Sequence, residues 1–94
     1  MEFEWDVRKA ERNIVKHGVP FEYAARVLLD PQRLDGEDDR RDYGEERRLT
    51  LGRIDGRLFA VAYALRGELI RLISARKAND REGRHYDETL PAGF

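Results

Sequence analysis

The sequence predicts an α+β domain in which two N-terminal helices and a C-terminal helix pack around a small antiparallel sheet. Three observations carry this expectation. Residues 47–76 hold three β-prone apolar runs separated by Asp55-Gly56 and Arg66-Gly67, both tight-turn signals. Residues 7–29 carry helical apolar spacing punctuated by Gly18, Pro20 and Asp30-Pro31. Asn79-Asp80-Arg81-Glu82 has the form of a capping box at a helix start. The order is therefore β-α-α-β-β-β-β-α.

Phe3-Glu4-Trp5 alternates over a short span and reads as an edge strand or an extended lead-in. Asp6 caps a first helix near 7–17, with Lys16 and His17 at the end the helix dipole prefers for cations. Val7, Ala10 and Ile14 form its expected apolar stripe, and Gly18 stops it. Pro20 opens a second helix whose stripe is Phe21, Ala24/Ala25 and Leu28, and Asp30-Pro31 ends it at Leu29. A short strand is expected around Arg33–Asp35, followed by a mobile acidic loop. Strands then cover 47–54, 57–65 and 68–76, and the last helix runs from Asn79 to about Leu90. Gly83 lies inside that helix, at a cost of about 1 kcal/mol relative to Ala. Residues 1–90 read as one domain and 91–94 as a tail.

Composition narrows the chemistry. The net charge is −1, which argues against a strong nucleic-acid binder, but the charge is unevenly distributed. Residues 30–46 carry −5 and residues 47–94 carry +4, so a basic folded half is joined to an acidic loop. With no Cys, thiolate chemistry, disulfides and Cys-based zinc sites are removed. The two histidines are too far apart in sequence to give a metal-ligand spacing. No run approaches the roughly 20 apolar residues of a membrane span, and the N-terminus lacks a secretion pattern. A cytoplasmic location is the expectation.

Glu4-Trp5-Asp6, Lys9, Asn13, Lys16-His17-Gly18-Val19 and Phe21-Glu22-x-Ala24 together resemble the opening of the BrnT toxins. Asp30-Pro31, Tyr43-Gly44-Glu45-Glu46-Arg47 and Leu51-Gly52-Arg53 are similar to the family's middle. Arg71 to Ala78, with Glu82 and Tyr86, is similar to its end. The resemblance spans roughly residues 3–87. It implies the toxin half of a type II toxin–antitoxin pair with a RelE-like ribonuclease fold, cleaving RNA without metal or cofactor and arresting translation. The implied partner is a BrnA-type ribbon-helix-helix antitoxin, giving a hetero-oligomer that reaches operator DNA only through the antitoxin. Pro20 departs from the Ser or Thr common in the family at that position.

Cleavage by 2′-hydroxyl attack needs a base, cations for the developing phosphorane charge and an acid for the leaving oxygen. Arg76 is the first candidate for charge stabilisation, because a planar guanidinium matches phosphate oxygens and stays protonated. Its bland alternative is a strand-end Arg paired with Glu82 or Asp80. His17 reads either as an acid or base near neutral pH or as a charge suited to the helix end. Tyr86 reads either as a stacking or proton-transfer residue or as core. Arg48 completes the catalytic candidates, and Arg47 and Arg48 must face opposite sides of their strand. Lys16, Lys77, Arg47 and Arg71 are the candidates for RNA backbone contact. Arg71 and Arg76 are five apart, so they face opposite sides unless a bulge intervenes. The rival reading is a non-catalytic interaction module that binds a partner through this basic patch and a sheet edge.

Overall fold

The computed structural model describes residues 1–39 and 41–90; the tail expected at 91–94 lies outside them. Strand β1 (Glu2–Trp5) leads into helix α1 (Val7–His17) and the single α-helical turn α2 (Phe21–Ala24). A 3₁₀ segment, Ala25–Leu29, follows. Strands β2 (Leu34–Glu37), β3 (Arg47–Ile54), β4 (Arg57–Arg66) and β5 (Leu69–Lys77) come next, and helix α3 (Asp80–Thr89) closes the chain. The element order is the expected one.

The sheet is mixed rather than antiparallel. Its order is β1-β5-β4-β3-β2, and β1 runs parallel to β5 while the other pairs are antiparallel. Only packing of distant segments decides which edge the first strand joins, so the all-antiparallel expectation fails there. The 3–4 hairpin holds as read. Asp55 and Gly56 both take positive φ, 51° and 82°, as a two-residue turn between twisted strands requires.

The second helix is shorter than its pattern. After one α turn the backbone tightens into the 3₁₀ segment, whose Val27 presses onto β3 at Gly52. A Cβ built on Gly52 would meet Val27 Cγ1 at 2.7 Å, so this approach needs a glycine. Phe21, Ala24 and Leu28 are buried as expected, Val27 is buried as well, and all four join Phe59, Val61, Ile70 and Leu72 in the main core. Trp5 meets Phe21 edge-on at 6.0 Å between ring centroids.

The expected stripe of α1 is corrected. Val7 is 66% exposed and Ile14 47%, whereas Ala10 and Asn13 are buried. The reason lies in the sheet edge. β1 ends at Trp5, opposite Leu72, leaving β5 unpaired on that side at Ala75. Asn13 takes over there: its Oδ1 accepts from the Ala75 N–H at 3.0 Å, and its Nδ2 donates to the Ala75 and Val19 carbonyls at 2.8 and 2.9 Å. A side-chain amide thus replaces the missing strand, and satisfying buried backbone groups outranks burying Val7.

On the opposite face, α3 lays Tyr86 over Leu51 and Ala60. Its capping box forms with both hydrogen bonds, and Gly83 is accommodated without a break. The expected strand at Arg33–Asp35 lies slightly later, at Leu34–Glu37. The described residues of the acidic segment after it are mostly exposed, with a few contacts to the sheet. The Asp38 N–H donates to the Arg47 carbonyl at 2.7 Å, Tyr43 stacks under Arg47, and Glu45 reaches Arg66.

Candidate functional site

Strand register assigns each candidate to a face, because cross-strand partners point the same way. Between β4 and β5 the register slips: Ala62 pairs with Ser74 but Tyr63 pairs with Leu72, leaving Ile73 as an extra residue. This β-bulge resolves the parity conflict. Arg71, Ser74 and Arg76 pair with Ala64, Ala62 and Ala60, and so share the face that carries α3. Arg47 pairs with Ala64 from the other side and joins them. The result is a shelf whose floor is three alanines on the central strand, with arginines rising on both flanks. Arg47 and Arg71 sit two strand spacings apart, roughly 10 Å. Helix α3 bounds the shelf at the Ala60 end, and Tyr43 and Glu45 bound it at the Arg66 end.

Each shelf cation is held by a carboxylate from a different element. Arg76 makes a two-pronged contact with Glu82 of α3, at 2.7 and 2.9 Å. Arg71 lies 3.5 Å from Glu4 of β1, and Arg47 lies 3.7 Å from Glu45 of the acidic loop. The Arg47 guanidinium also stacks 3.9 Å from the Tyr43 ring centroid, and its Nε is buried without a hydrogen-bond partner. Glu82 serves twice, since it also caps α3 by accepting from the Asn79 N–H at 2.9 Å. These contacts fix the directions of the guanidinium groups, and an incoming anion must compete for them.

The remaining candidates fall elsewhere. Arg48 pairs with Tyr63 on the opposite face and is bound to Asp35 and Glu46, so it is not beside Arg76. Its hydrogen bond to Asp35 holds the guanidinium pKa above its ordinary value. Lys77 pairs with Phe59, also on that opposite face. Tyr86 is 1% exposed and its hydroxyl donates to Asp30 Oδ2 at 2.7 Å. Burial, then the Asp30 carboxylate, pushes its pKa up to about 12. Its position is that of a core residue. Asp30 in turn is held below its usual range: burial works against its charge, but the Arg53 N–H, the Tyr86 hydroxyl and the Gln32 N–H outweigh it. Tyr63 is likewise pushed up to about 12 by burial, with its hydroxyl on Asp35 at 2.6 Å.

Lys16 and His17 lie beyond the β5 edge. With Lys9 and Arg12 of the same helix they line a cleft of about 330 Å³ against Ile73 and Ser74. Ser74 therefore borders both the shelf and this cleft. Lys9 and Arg12 were not among the sequence candidates, although Lys9, Arg12 and Lys16 stand at i, i+3 and i+7 and so share a helix face. The counter-ions Glu4 and Glu45 were also hidden, because sequence separation says nothing about which acid meets which base, whereas the pairing of Arg76 with Glu82 is the alternative its sequence reading offered. His85 lines a smaller hollow with Leu49 and Leu51 on the shelf face.

Among the described residues no helix is long and apolar enough to cross a membrane. None of the curated proteins matches the chain. Residues 5–82, however, match the family described as ribonuclease toxin, BrnT, of type II toxin-antitoxin system. That match takes in the first helix with its cations, the bulged strand and Glu82, and by it the chain belongs to the BrnT family of type II toxin–antitoxin ribonuclease toxins.

Proposed function

We propose that this toxin cleaves RNA without a metal ion on the α3 face of its sheet, and that a BrnA-type ribbon-helix-helix antitoxin neutralises it in a hetero-oligomer. Operator DNA is then contacted through the antitoxin, and translation stops because RNA is cut. The observation that carries the reading is the bulge at Ile73, which puts Arg71 and Arg76 on one face with Arg47.

In this reading the 2′-oxygen attacks phosphorus and the bond to the 5′-oxygen breaks, leaving a 2′,3′-cyclic phosphate and a 5′-hydroxyl. The proton lost from the 2′-hydroxyl goes to a base, and an acid supplies one to the leaving oxygen. Arg76 meets the phosphorane oxygens, displacing Glu82 as it does so. Arg71 and Arg47 hold flanking phosphates. His17, at the rim beside Ser74, is the candidate for proton transfer, and Lys16 lies next to it. Arg48, Lys77 and Tyr86 are set aside as site residues because their places are on the far face or in the core.

The test is cleavage of a defined single-stranded RNA by purified toxin in excess chelator. Products with cyclic phosphate ends, lost in Arg76→Ala, are expected. Cleavage that stops on chelation would overturn the metal-independent mechanism. Intact RNA at high protein concentration would favour the non-catalytic interaction module instead.

A further inference from the structure

We infer that the cleft between α1 and β5 is a second nucleic-acid subsite, binding the phosphate backbone of single-stranded RNA where it leaves the shelf. The inference rests on the ribonuclease reading only for its choice of RNA over other polyanions. Lys9, Arg12 and Lys16 stand in a row along one face of α1, about 10 Å from first to last at the helical rise. With His17 they form one wall of the cleft, and Ile73 and Ser74 form the other.

Charge pairing separates this row from the shelf arginines, although Arg8, Arg57, Lys77, Arg81 and Arg84 also make no ion pair among the described residues. Arg26, Arg33, Arg47, Arg48, Arg53, Arg66, Arg71 and Arg76 each have a carboxylate within 4 Å. Among the described residues no ion pair engages Lys9, Arg12 or Lys16, and no acid lines the cleft. Glu11 lies on the opposite side of the helix by its spacing. Asp6, at the helix start, has its Oδ1 occupied by the N–H groups of Arg8 and Lys9 and acts on the Lys9 charge through space without forming an ion pair. The helix dipole accounts for Lys16 and His17 near the C-terminus but not for Lys9 and Arg12 earlier in the helix. Three unpaired cations concentrated along one groove are a polyanion's footprint.

Continuity with the shelf supplies the ligand. Ser74 pairs with Ala62 on the shelf face, between Arg71 and Arg76, and also lines the cleft. The bulge at Ile73 turns β5 at this point, so a strand crossing the shelf passes Ser74 into the row of cations. Contacts of this kind go to phosphate and carry no base preference, so the subsite sets affinity and direction rather than sequence.

The test measures binding of a short, uncleavable 2′-O-methyl RNA to wild-type toxin and to the triple variant Lys9→Gln, Arg12→Gln, Lys16→Gln across a salt series. Affinity should fall roughly 10- to 100-fold at low salt, and the log–log salt slope should lose about 2, near 0.7 for each phosphate contact on a single strand. Circular dichroism and melting confirm folding of the variant, which breaks no ion pair. An unchanged slope and affinity would overturn the inference, as would failure of the wild type to bind the oligomer. Loss of an acidic protein partner's binding with RNA affinity intact would overturn it too. If the wild type binds RNA with the full cleft-dependent slope yet never cuts cleavable RNA, the ribonuclease mechanism fails and the subsite stands.

Discussion

The shelf and the cleft are both cationic, and they are built in opposite ways. On the shelf, Arg47, Arg71 and Arg76 are each met by a carboxylate from a separate element: the acidic loop, β1 and α3. In the cleft, Lys9, Arg12 and Lys16 meet none among the described residues. Paired arginines are oriented but neutralised, which suits short-range recognition of one phosphate by a planar fork. Unpaired lysines and an arginine on a helix keep their field and attract a polyanion from a distance. The comparison also explains how a protein of net charge −1 presents two cationic surfaces. Its acids are used locally, where they hold arginines in place.

The largest expected effect would break the shelf. Arg76→Ala should lower RNA cleavage about 10²- to 10³-fold, the scale of losing one preorganised charge donor. Stability should change by about 1 kcal/mol or less, since the Arg76–Glu82 pair is partly exposed and Glu82 keeps its cap. Arg76→Lys should recover only part of the rate. Single-turnover cleavage at fixed ionic strength, alongside melting curves, checks both halves. Full activity in the alanine variant would remove the shelf's assigned chemistry.

Asn13→Ala should disturb the cleft through its support. Three hydrogen bonds to the Ala75 and Val19 backbone would be lost, leaving buried groups unpaired. The expected loss is about 3 kcal/mol, or a Tm lower by roughly 10–20 °C. A calorimetric shift of only a degree or two would mean that α1 is held to β5 by something else.

Glu82→Gln sharpens the contrast, since it removes a shelf counter-charge while keeping an oxygen to accept from the Asn79 N–H. RNA affinity should rise roughly fivefold, as expected from releasing about 1 kcal/mol of competing ion pair. The cleft offers no such position. Unchanged affinity on titration with uncleavable RNA would show that Glu82 does not compete with phosphate.

The last comparison concerns pH. Tyr63 and Tyr86 have folded pKa values raised to about 12 from an ordinary 10. Their contribution to stability is therefore fully present below pH 10 and lost as pH rises through about 12. Asp30 is depressed, so its contribution holds above the ordinary carboxylate range and fades as pH falls through its lowered value. Melting curves should decline above pH 10, and Tyr86→Phe should lower the plateau and flatten that decline.

The sequence by itself determined what depends on near neighbours. Helix α1 begins at Asp6 and stops at Gly18, Asp55-Gly56 makes the hairpin, and Asn79 with Glu82 makes the capping box, because turns and caps are local hydrogen-bond chemistry. The family was legible too, since its ordered residues survive in the chain. Tertiary structure alone decided the rest. The parallel pairing of β1 with β5 joins residues that local preference cannot connect. The burial of Asn13 instead of Ile14 follows from a strand edge that has no partner beyond Trp5. The side of the sheet that Arg76 faces depends on one extra residue at Ile73. Alternation is a parity, and a bulge inverts everything after it, so a single residue of slip moved Arg76 onto the face of Arg71.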